Sequence, residues 1–119
     1  MAKILLTEDH LDTAKMMAMV LERHGFVVRL ASNVAQALEA ARKEAFDLCI
    51  CDFRLPDGDG AKLSRQLLEE HGLKSICLSG DVDVTELQND PQTGFVACLS
   101  KPIDIDGAVR TIRAAVAAK

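Results

Sequence analysis

Short apolar runs alternate with longer amphipathic segments along the whole chain. Each of five runs is too short for a helix and ends at polar or glycine residues, which is typical of strands. These runs are residues 4–6, 26–30, 48–51, 76–78 and 96–99. Five strands that alternate with five helices predict a parallel sheet covered by helices on both faces. The pattern therefore indicates one α/β domain over residues 1–119.

The segments between the strands carry apolar stripes at helical spacing. The predicted stripes are Leu11, Ala14, Met17, Ala18 and Leu21; Val34, Leu38, Ala41 and Ala45; Leu63 and Leu67; and Ile105, Val109, Ile112 and Val116. Either Ser32 or Asn33 can cap the second helix, and Gly25 and Gly72 stand where the first and third helices end. The segment 81–94 predicts a weak fourth helix that Pro91 cuts short. A charged residue in the second strand, Arg29, suggests that this strand lies at a sheet edge.

Composition excludes several classes of partner. Aromatic residues make up 3% of the chain and the formal net charge is −4. Both values argue against nucleic acid, which favours basic surfaces and stacking platforms. No apolar run approaches the roughly 20 residues that cross a bilayer, so we expect no membrane contact. The early acids of the N-terminus are unlike a signal peptide, and four cysteines among apolar neighbours suggest buried reduced thiols and a cytoplasmic domain.

Polar residues follow four of the five predicted strands. They are Glu8 and Asp9 after the first, Asp52 after the third, Ser79 and Asp81 after the fourth, and Ser100, Lys101 and Pro102 after the fifth. Because ligands of open parallel sheets bind beyond the carboxyl ends of the strands, we expect these side chains to share one edge. Clustered carboxylates repel unless a proton or cation intervenes, and oxygen ligands suit Mg²⁺. With a lysine and a hydroxyl nearby, the set could hold a phosphoryl group.

The order of these motifs resembles a receiver domain, the phosphoacceptor module of bacterial two-component signalling. The resemblance extends from Lys3 to about Ala117. It depends on the acid pair Glu8-Asp9, the segment DFRLPDGDG that begins at Asp52, LSG at residues 78–80, and Lys101-Pro102. It implies a single receiver domain with a flavodoxin-like (βα)5 three-layer sandwich, in which the strands lie in the order 2-1-3-4-5.

The resemblance also implies roles for individual residues. Asp52 is expected to be an exposed nucleophile that takes a phosphoryl group from a phosphohistidine, on a histidine kinase or a histidine phosphotransfer domain. Slow hydrolysis or onward relay would follow. Lys101 is expected to hold the phosphoryl oxygens and Ser79 to move towards them. The Lys101–Pro102 peptide bond is expected to be cis.

A magnesium site belongs to the same resemblance, with Mn²⁺ as a possible substitute. Asp9, Asp52 and the backbone carbonyl of Arg54 are the expected direct ligands, and Glu8 is expected to act through bound water. Arg54 and Asp81 are also placed to form an ion pair across the mouth of the site.

Other acids and histidines have structural interpretations. Asp57 and Asp59 are expected to lie in a turn that enters the third helix, where acids complement the helix dipole. His10 directly follows the acid pair and is expected at the surface, although it could line the pocket.

Three alternative functions fit these residues less well than a phosphoacceptor does. An aspartyl-phosphate phosphatase usually has a second Asp two residues after its nucleophile, where this chain has Arg54. A receiver-like module that is never phosphorylated would lack the acceptor, the acid pair or the lysine. A flavin-binding domain would need a phosphate loop after the first strand. We therefore expect a signalling domain that catalyses its own phosphorylation rather than an enzyme, either alone or as part of a hybrid sensor kinase or longer regulator.

One position departs from the pattern that the resemblance implies. Receiver domains commonly carry Tyr or Phe three residues before the lysine, and this chain has Cys98 there. A thiol cannot bury or expose a large apolar face as an aromatic ring does. We therefore expect a muted structural response to phosphorylation.

Overall fold

The computed structural model describes residues 2–80, 93–101 and 104–117. The main sheet consists of β1 (Lys3–Thr7), β2 (Val27–Ala31), β3 (Leu48–Asp52), β6 (Ser75–Ser79) and β7 (Phe95–Ser100). A short antiparallel ladder of β4 (Arg54–Leu55) and β5 (Gly58–Asp59) follows β3. The described helices are α1 (Leu11–Arg23), α2 (Val34–Lys43), α3 (Gly60–His71) and α4 (Ile105–Ala117). The predicted weak helix before Gly94 falls almost entirely in 81–92, outside the described residues.

The five main strands are parallel, and their spatial order is β2-β1-β3-β6-β7. Counted among themselves, these strands have the order 2-1-3-4-5, so the predicted flavodoxin-like topology is confirmed. Strand β2 lies at an edge, as the charge of Arg29 suggested, and Arg29 pairs there with Glu44 at 2.9 Å.

Two apolar layers hold the helices against opposite faces of the sheet. Successive residues of a strand point to opposite faces, so β1, β3 and β6 contribute to both layers. One layer, with α2 and α3, contains Leu5, Ala37, Ala41, Cys49, Cys51, Leu63, Leu67 and Cys77. The other, with α1 and α4, contains Ile4, Leu6, Leu21, Leu48, Ile50, Ile76, Leu78, Val109 and Ile112. Each fully buried Leu or Ile contributes about 1.5–3 kcal/mol to folding.

The helix ends follow the sequence signals closely. Asn33, rather than Ser32, is the N-cap of α2, and its side chain accepts a hydrogen bond from the Gln36 amide at 2.8 Å. Ser32 donates its hydroxyl to the Gln36 side chain and supports the same turn. Gly25 and Gly72 have φ values of 93° and 64°, a left-handed conformation that glycine adopts without steric cost. Both glycines therefore end helices as predicted.

Three members of the predicted apolar stripes are exposed. Leu11 and Ile105 are 59% and 39% exposed and Ala45 is exposed as well, so their assignment to the core was wrong. Leu11 and Ile105 are the first residues of their helices, where no preceding turn covers the side chain, and Ala45 lies beyond the last residue of α2, Lys43.

The cysteines are free, as expected for reduced thiols, and Cys49, Cys51 and Cys77 are buried. Cys98 is only partly buried, against the same layer. Among the residues that the structure describes, no helix has the length and apolar character needed to cross a membrane.

Candidate functional site

The carboxyl ends of the central strands surround a cavity of about 300 Å³. Its lining residues are Asp9, His10, Asp52, Phe53, Arg54, Leu78, Ser79, Gly80 and Lys101. Five of the six residues predicted for the site therefore share this cavity. The sixth, Glu8, is fully buried and reaches the same place through its contact with Lys101.

Asp52 lies deeper than expected. It is the last residue of β3 rather than the first residue of a loop, and it is 5% exposed, so the expectation of an exposed nucleophile was wrong. The following loop folds back over the strand end, because the Gly60 amide donates to the Phe53 carbonyl at 2.6 Å. A Cβ atom at Gly60 would collide with the Asp52 carbonyl oxygen, so only glycine permits this close approach. The Asp52 side chain is therefore almost covered, although it lines the cavity.

Lys101 connects the two buried acids. Its Nζ lies 3.1 Å from Glu8 Oε2, to which it donates a hydrogen bond, and 2.8 Å from Asp52 Oδ1. The second contact is an ion pair, and the buried Asp52 Oδ1 accepts no hydrogen bond from the described residues. One ammonium group thus offsets two carboxyl groups that burial has removed from water.

The two acids titrate in opposite directions. Burial raises the pKa of Asp52 to about 7, and the carboxyl group of Glu8 adds to this effect while Lys101 opposes it. Burial also tends to raise the pKa of Glu8, but hydrogen bonds with Asp52, the His10 amide and Lys101 outweigh it and lower that pKa to about 2. Because the groups are coupled, they titrate as a pair, with the negative charge mainly on Glu8 near neutral pH.

Asp9 and His10 lie at the outer side of the acid pair. The His10 imidazole is 75% exposed, as expected for a surface residue, yet it also lines the cavity. Its Nδ1 lies 3.2 Å from Glu8 Oε1 and 3.4 Å from Asp9 Oδ1, and its backbone amide donates to Glu8 Oε1. Sequence reasoning missed these contacts, and the only available signal was that His10 directly follows the acids at a strand end.

Ser79 and Arg54 complete the cavity wall. Ser79 ends β6, is 4% exposed, and accepts a hydrogen bond from the Lys101 amide through its carbonyl oxygen at 3.0 Å. Arg54 begins β4, opposite Asp59. Its predicted ion pair with Asp81 and the predicted cis Lys101–Pro102 bond both lie outside the described residues.

The two acids of the loop after β4 bind helix N-termini rather than the cavity. Asp59 is the N-cap of α3, as expected, and accepts a hydrogen bond from the Lys62 amide at 2.8 Å. Asp57 instead accepts from the Val34 and Ala35 amides of α2 at 2.8 and 3.1 Å, and the Val34 bond is the main cause of its lowered pKa. Asp57 thus lies in the expected turn before α3, but its carboxylate complements the N-terminus of α2 rather than that of α3, and it anchors the loop to α2.

Comparison with known proteins identifies the family of this chain. A family model for the response regulator receiver domain matches residues 4–113. The chain is 37% identical over 109 residues to the hybrid signal transduction histidine kinase M of Dictyostelium discoideum, which covers 85% of this chain and 5% of that protein. It is 33% identical over 106 residues to the response regulator protein PilR of Pseudomonas aeruginosa, which covers 87% of this chain and 23% of that protein. The chain thus spans less than a quarter of either relative.

A solved structure supports the fold independently. The crystal structure of a two-component response regulator from Clostridium difficile superposes with a TM-score of 0.90 over 99% of this chain and 98% of that one, at 21% identity. The match of nearly the full length to the family, together with the strand order and the acids at the strand ends, shows that this chain belongs to the response regulator receiver domains of two-component signalling.

Proposed function

We propose that this domain accepts a phosphoryl group on Asp52 from the phosphohistidine of a histidine kinase or a histidine phosphotransfer domain. The P–N bond of the phosphohistidine breaks, a bond from phosphorus to an Asp52 oxygen forms, and the released imidazole takes up a proton. Slow hydrolysis or onward relay then removes the group. The observation that supports this proposal most strongly is the buried Asp52 carboxyl group, 2.8 Å from Lys101 Nζ in a cavity that other acids border.

The residues present fit a magnesium ion. Asp52 Oδ1 is buried without a hydrogen bond from the described residues, and Glu8 and Asp9 add the oxygen donors that Mg²⁺ prefers. We assign Asp9, Asp52 and the Arg54 backbone carbonyl as direct ligands and Glu8 as a partner of bound water, and Mn²⁺ can replace Mg²⁺. When bound, the cation neutralises phosphoryl oxygens that an acidic pocket alone would repel.

The remaining residues of the site orient the phosphoryl group and neutralise its charge. Lys101 has to leave part of its contact with Asp52 to reach a phosphoryl oxygen, and Glu8 holds the ammonium group close during that movement. Ser79 can donate its hydroxyl hydrogen to a second oxygen from the end of β6. Because burial raises the pKa of Asp52 to about 7, protonation opposes its ionisation in the metal-free domain. Positive charge beside the carboxyl group favours the ionised form that attacks phosphorus.

Incubation with acetyl phosphate and Mg²⁺ tests this function. We expect the intact mass to increase by one phosphoryl group, and we expect no increase in EDTA. Asp57→Asn is the matched control, because Asp57 belongs to the same loop but binds α2. It should be labelled like the parent protein, whereas Asp52→Asn should not be labelled. Equal labelling of Asp52→Asn, or labelling that is unaffected by EDTA, would refute the proposal.

The wider context extends the same proposal. The domain catalyses its own phosphorylation and acts on no separate substrate, and the hybrid kinase relative makes a hybrid kinase one candidate for a parent chain. We place it in the cytoplasm, with a phosphohistidine protein as its partner and no contact with nucleic acid or membrane.

Cys98 leads to a prediction about signal transmission. Cys98 is a partly buried residue of β7 and lies beside Cys77 of β6. Its side chain has no bulky ring that could move when the site is filled. We expect beryllofluoride with Mg²⁺ to shift amide signals at the strand ends, and the shifts should fade towards Val109 and Ile112 of α4. Cys98→Tyr should extend the shifts across β7 and α4. Large shifts throughout α4 in the parent protein would show that Cys98 does not mute the response.

A further inference from the structure

We infer that His10 is an additional ligand at the metal site, so that the site selects Zn²⁺ or Ni²⁺ over Mg²⁺ more strongly than its carboxylates alone do. This inference rests on the proposed metal site and adds to it a nitrogen donor and a preference for transition metals. The donor atoms of Glu8, Asp9 and His10 all lie within 4.8 Å of one another. Within the described parts of the chain, they form the only group of three such residues close enough to hold an ion.

The distances from the His10 imidazole to the two acids match the spacing between neighbouring zinc ligands. His10 Nδ1 lies 3.2 Å from Glu8 Oε1 and 3.4 Å from Asp9 Oδ1. Zinc bonds of about 2.0–2.1 Å to nitrogen and oxygen place neighbouring ligands of a tetrahedron about 3.3–3.4 Å apart. The imidazole nitrogen therefore already lies at the spacing of neighbouring zinc ligands from both acids. It would exchange its present hydrogen bond with Glu8 Oε1 for a bond to the metal.

A second observation places an acceptor for a cation beside this group. Asp52 Oδ1 is buried, accepts no hydrogen bond from the described residues, and belongs to a side chain that lines the same cavity as Asp9 and His10. Lys101 is its present charge partner, and a cation can take over that role. Asp52 thus offers a fourth donor within the same cavity.

The chemistry of the donors separates the two kinds of ion. Mg²⁺ favours six oxygen ligands and keeps much of its water, so it gains little from an imidazole. Zn²⁺ and Ni²⁺ bind imidazole nitrogen well and have higher affinity for mixed nitrogen and oxygen sites. Removal of His10 therefore weakens the binding of transition metals selectively. Zn²⁺ or Ni²⁺ at this site competes with the Mg²⁺ that phosphorylation uses.

Calorimetric titration of the full chain with Mg²⁺, Ni²⁺ and Zn²⁺ separately tests the inference. His10→Gln keeps a polar side chain of similar size but removes the imidazole. We expect it to lower the affinity for Ni²⁺ and Zn²⁺ at least about tenfold and to leave that for Mg²⁺ within about twofold. His71→Gln is the matched control, because His71 ends α3 away from the cavity, and it should change none of the three. In the parent protein, Zn²⁺ should also shift the Nδ1 nitrogen resonance of His10.

The possible outcomes separate the two proposals. Unchanged Ni²⁺ and Zn²⁺ affinities in His10→Gln, or an equal loss for all three ions, overturn the inference while Mg²⁺-dependent labelling of Asp52 still stands. A zinc-induced shift at His24 or His71 without one at His10 also overturns it. If the parent protein binds Zn²⁺ through His10 but shows no Mg²⁺-dependent labelling, the proposed function fails and the ligand assignment remains.

Discussion

Replacement of Asp52 with asparagine is expected to stabilise the metal-free domain above pH 7, although it removes the proposed phosphoacceptor. Burial and the neighbouring Glu8 raise the pKa of Asp52 to about 7 in the folded protein, from 3.8 when it is unperturbed. Between these values the folded state binds more protons than the unfolded state, so the free energy of unfolding falls as pH rises. Asparagine has no charge to bury and can donate its amide hydrogen to Glu8.

The expected difference grows with pH. Near pH 4 the parent protein and Asp52→Asn should have similar stability, and by pH 8 the variant should be more stable, by on the order of 2–4 kcal/mol in EDTA. At low pH the free energy of unfolding should instead fall as pH falls, in both the parent protein and Asp52→Asn. The reason is that the lowered pKa of Glu8, about 2, contributes stability that is lost as pH falls below 4.5. Urea denaturation at several pH values measures both the loss of stability at high pH and the loss at low pH.

A control and a metal titration sharpen this prediction. Glu70→Gln changes an exposed carboxylate of α3 and should shift stability by no more than about 0.5 kcal/mol at any pH. Addition of Mg²⁺ should stabilise the parent protein, because the cation offsets the buried charge. The difference in stability between the parent protein and Asp52→Asn should therefore become smaller. Equal stability of parent and variant at pH 8 in EDTA would show that Asp52 is not under electrostatic strain.

Substitution of Gly60 with alanine is expected to damage both stability and chemistry. The added Cβ atom would collide with the Asp52 carbonyl oxygen and lie 3.1 Å from Phe53 Cα, and these backbone atoms cannot move aside as a flexible side chain does. The loop must therefore shift, at a cost of about 1–3 kcal/mol. Because the shift reaches the residue proposed to be the nucleophile, labelling by acetyl phosphate should slow at least tenfold, since a displacement of about 1 Å can cost 10²-fold in rate.

Gly58→Ala is a control within the same loop. Its new Cβ atom would meet only the Cγ2 methyl of Val34, at 3.3 Å, and that side chain can adjust. We expect a smaller loss of stability and a labelling rate close to that of the parent protein. If the two variants lose stability and rate equally, close packing at Gly60 does not position Asp52.

Local patterns predicted the elements and layers of this domain better than they predicted its site. Apolar runs and helical stripes gave the strands and the described helices, because burial on two faces leaves a strong signal in the order of residues. The same signal failed at Leu11 and Ile105, which match the period but begin their helices, and at Ala45, which lies beyond the end of α2. The spatial order of the strands followed from the resemblance to receiver domains, since periodicity does not encode which strands are neighbours.

Features that depend on tertiary contacts escaped the sequence. The depth of Asp52 depends on a loop that folds back through Gly60, and a strand-end position does not disclose it. Asp57 caps a helix whose first residue lies 23 positions earlier in the chain, a contact that only the packing of α2 beside the loop creates. The sequence placed Glu8, Asp52 and Lys101 at one sheet edge but could not give their pairing or the opposite pKa shifts of the two acids.

Chemical trapping of the phosphorylated residue tests the role of Asp52 most directly. Borohydride reduces an aspartyl phosphate to homoserine, which peptide mass spectrometry then locates in the sequence. After treatment with acetyl phosphate and Mg²⁺, we expect homoserine at position 52 and aspartate at Asp9, Asp57 and Asp59. The same treatment in EDTA should leave Asp52 unchanged. Homoserine at any of the other three positions, or none at position 52 in protein whose mass shows a phosphoryl group, would contradict the assignment.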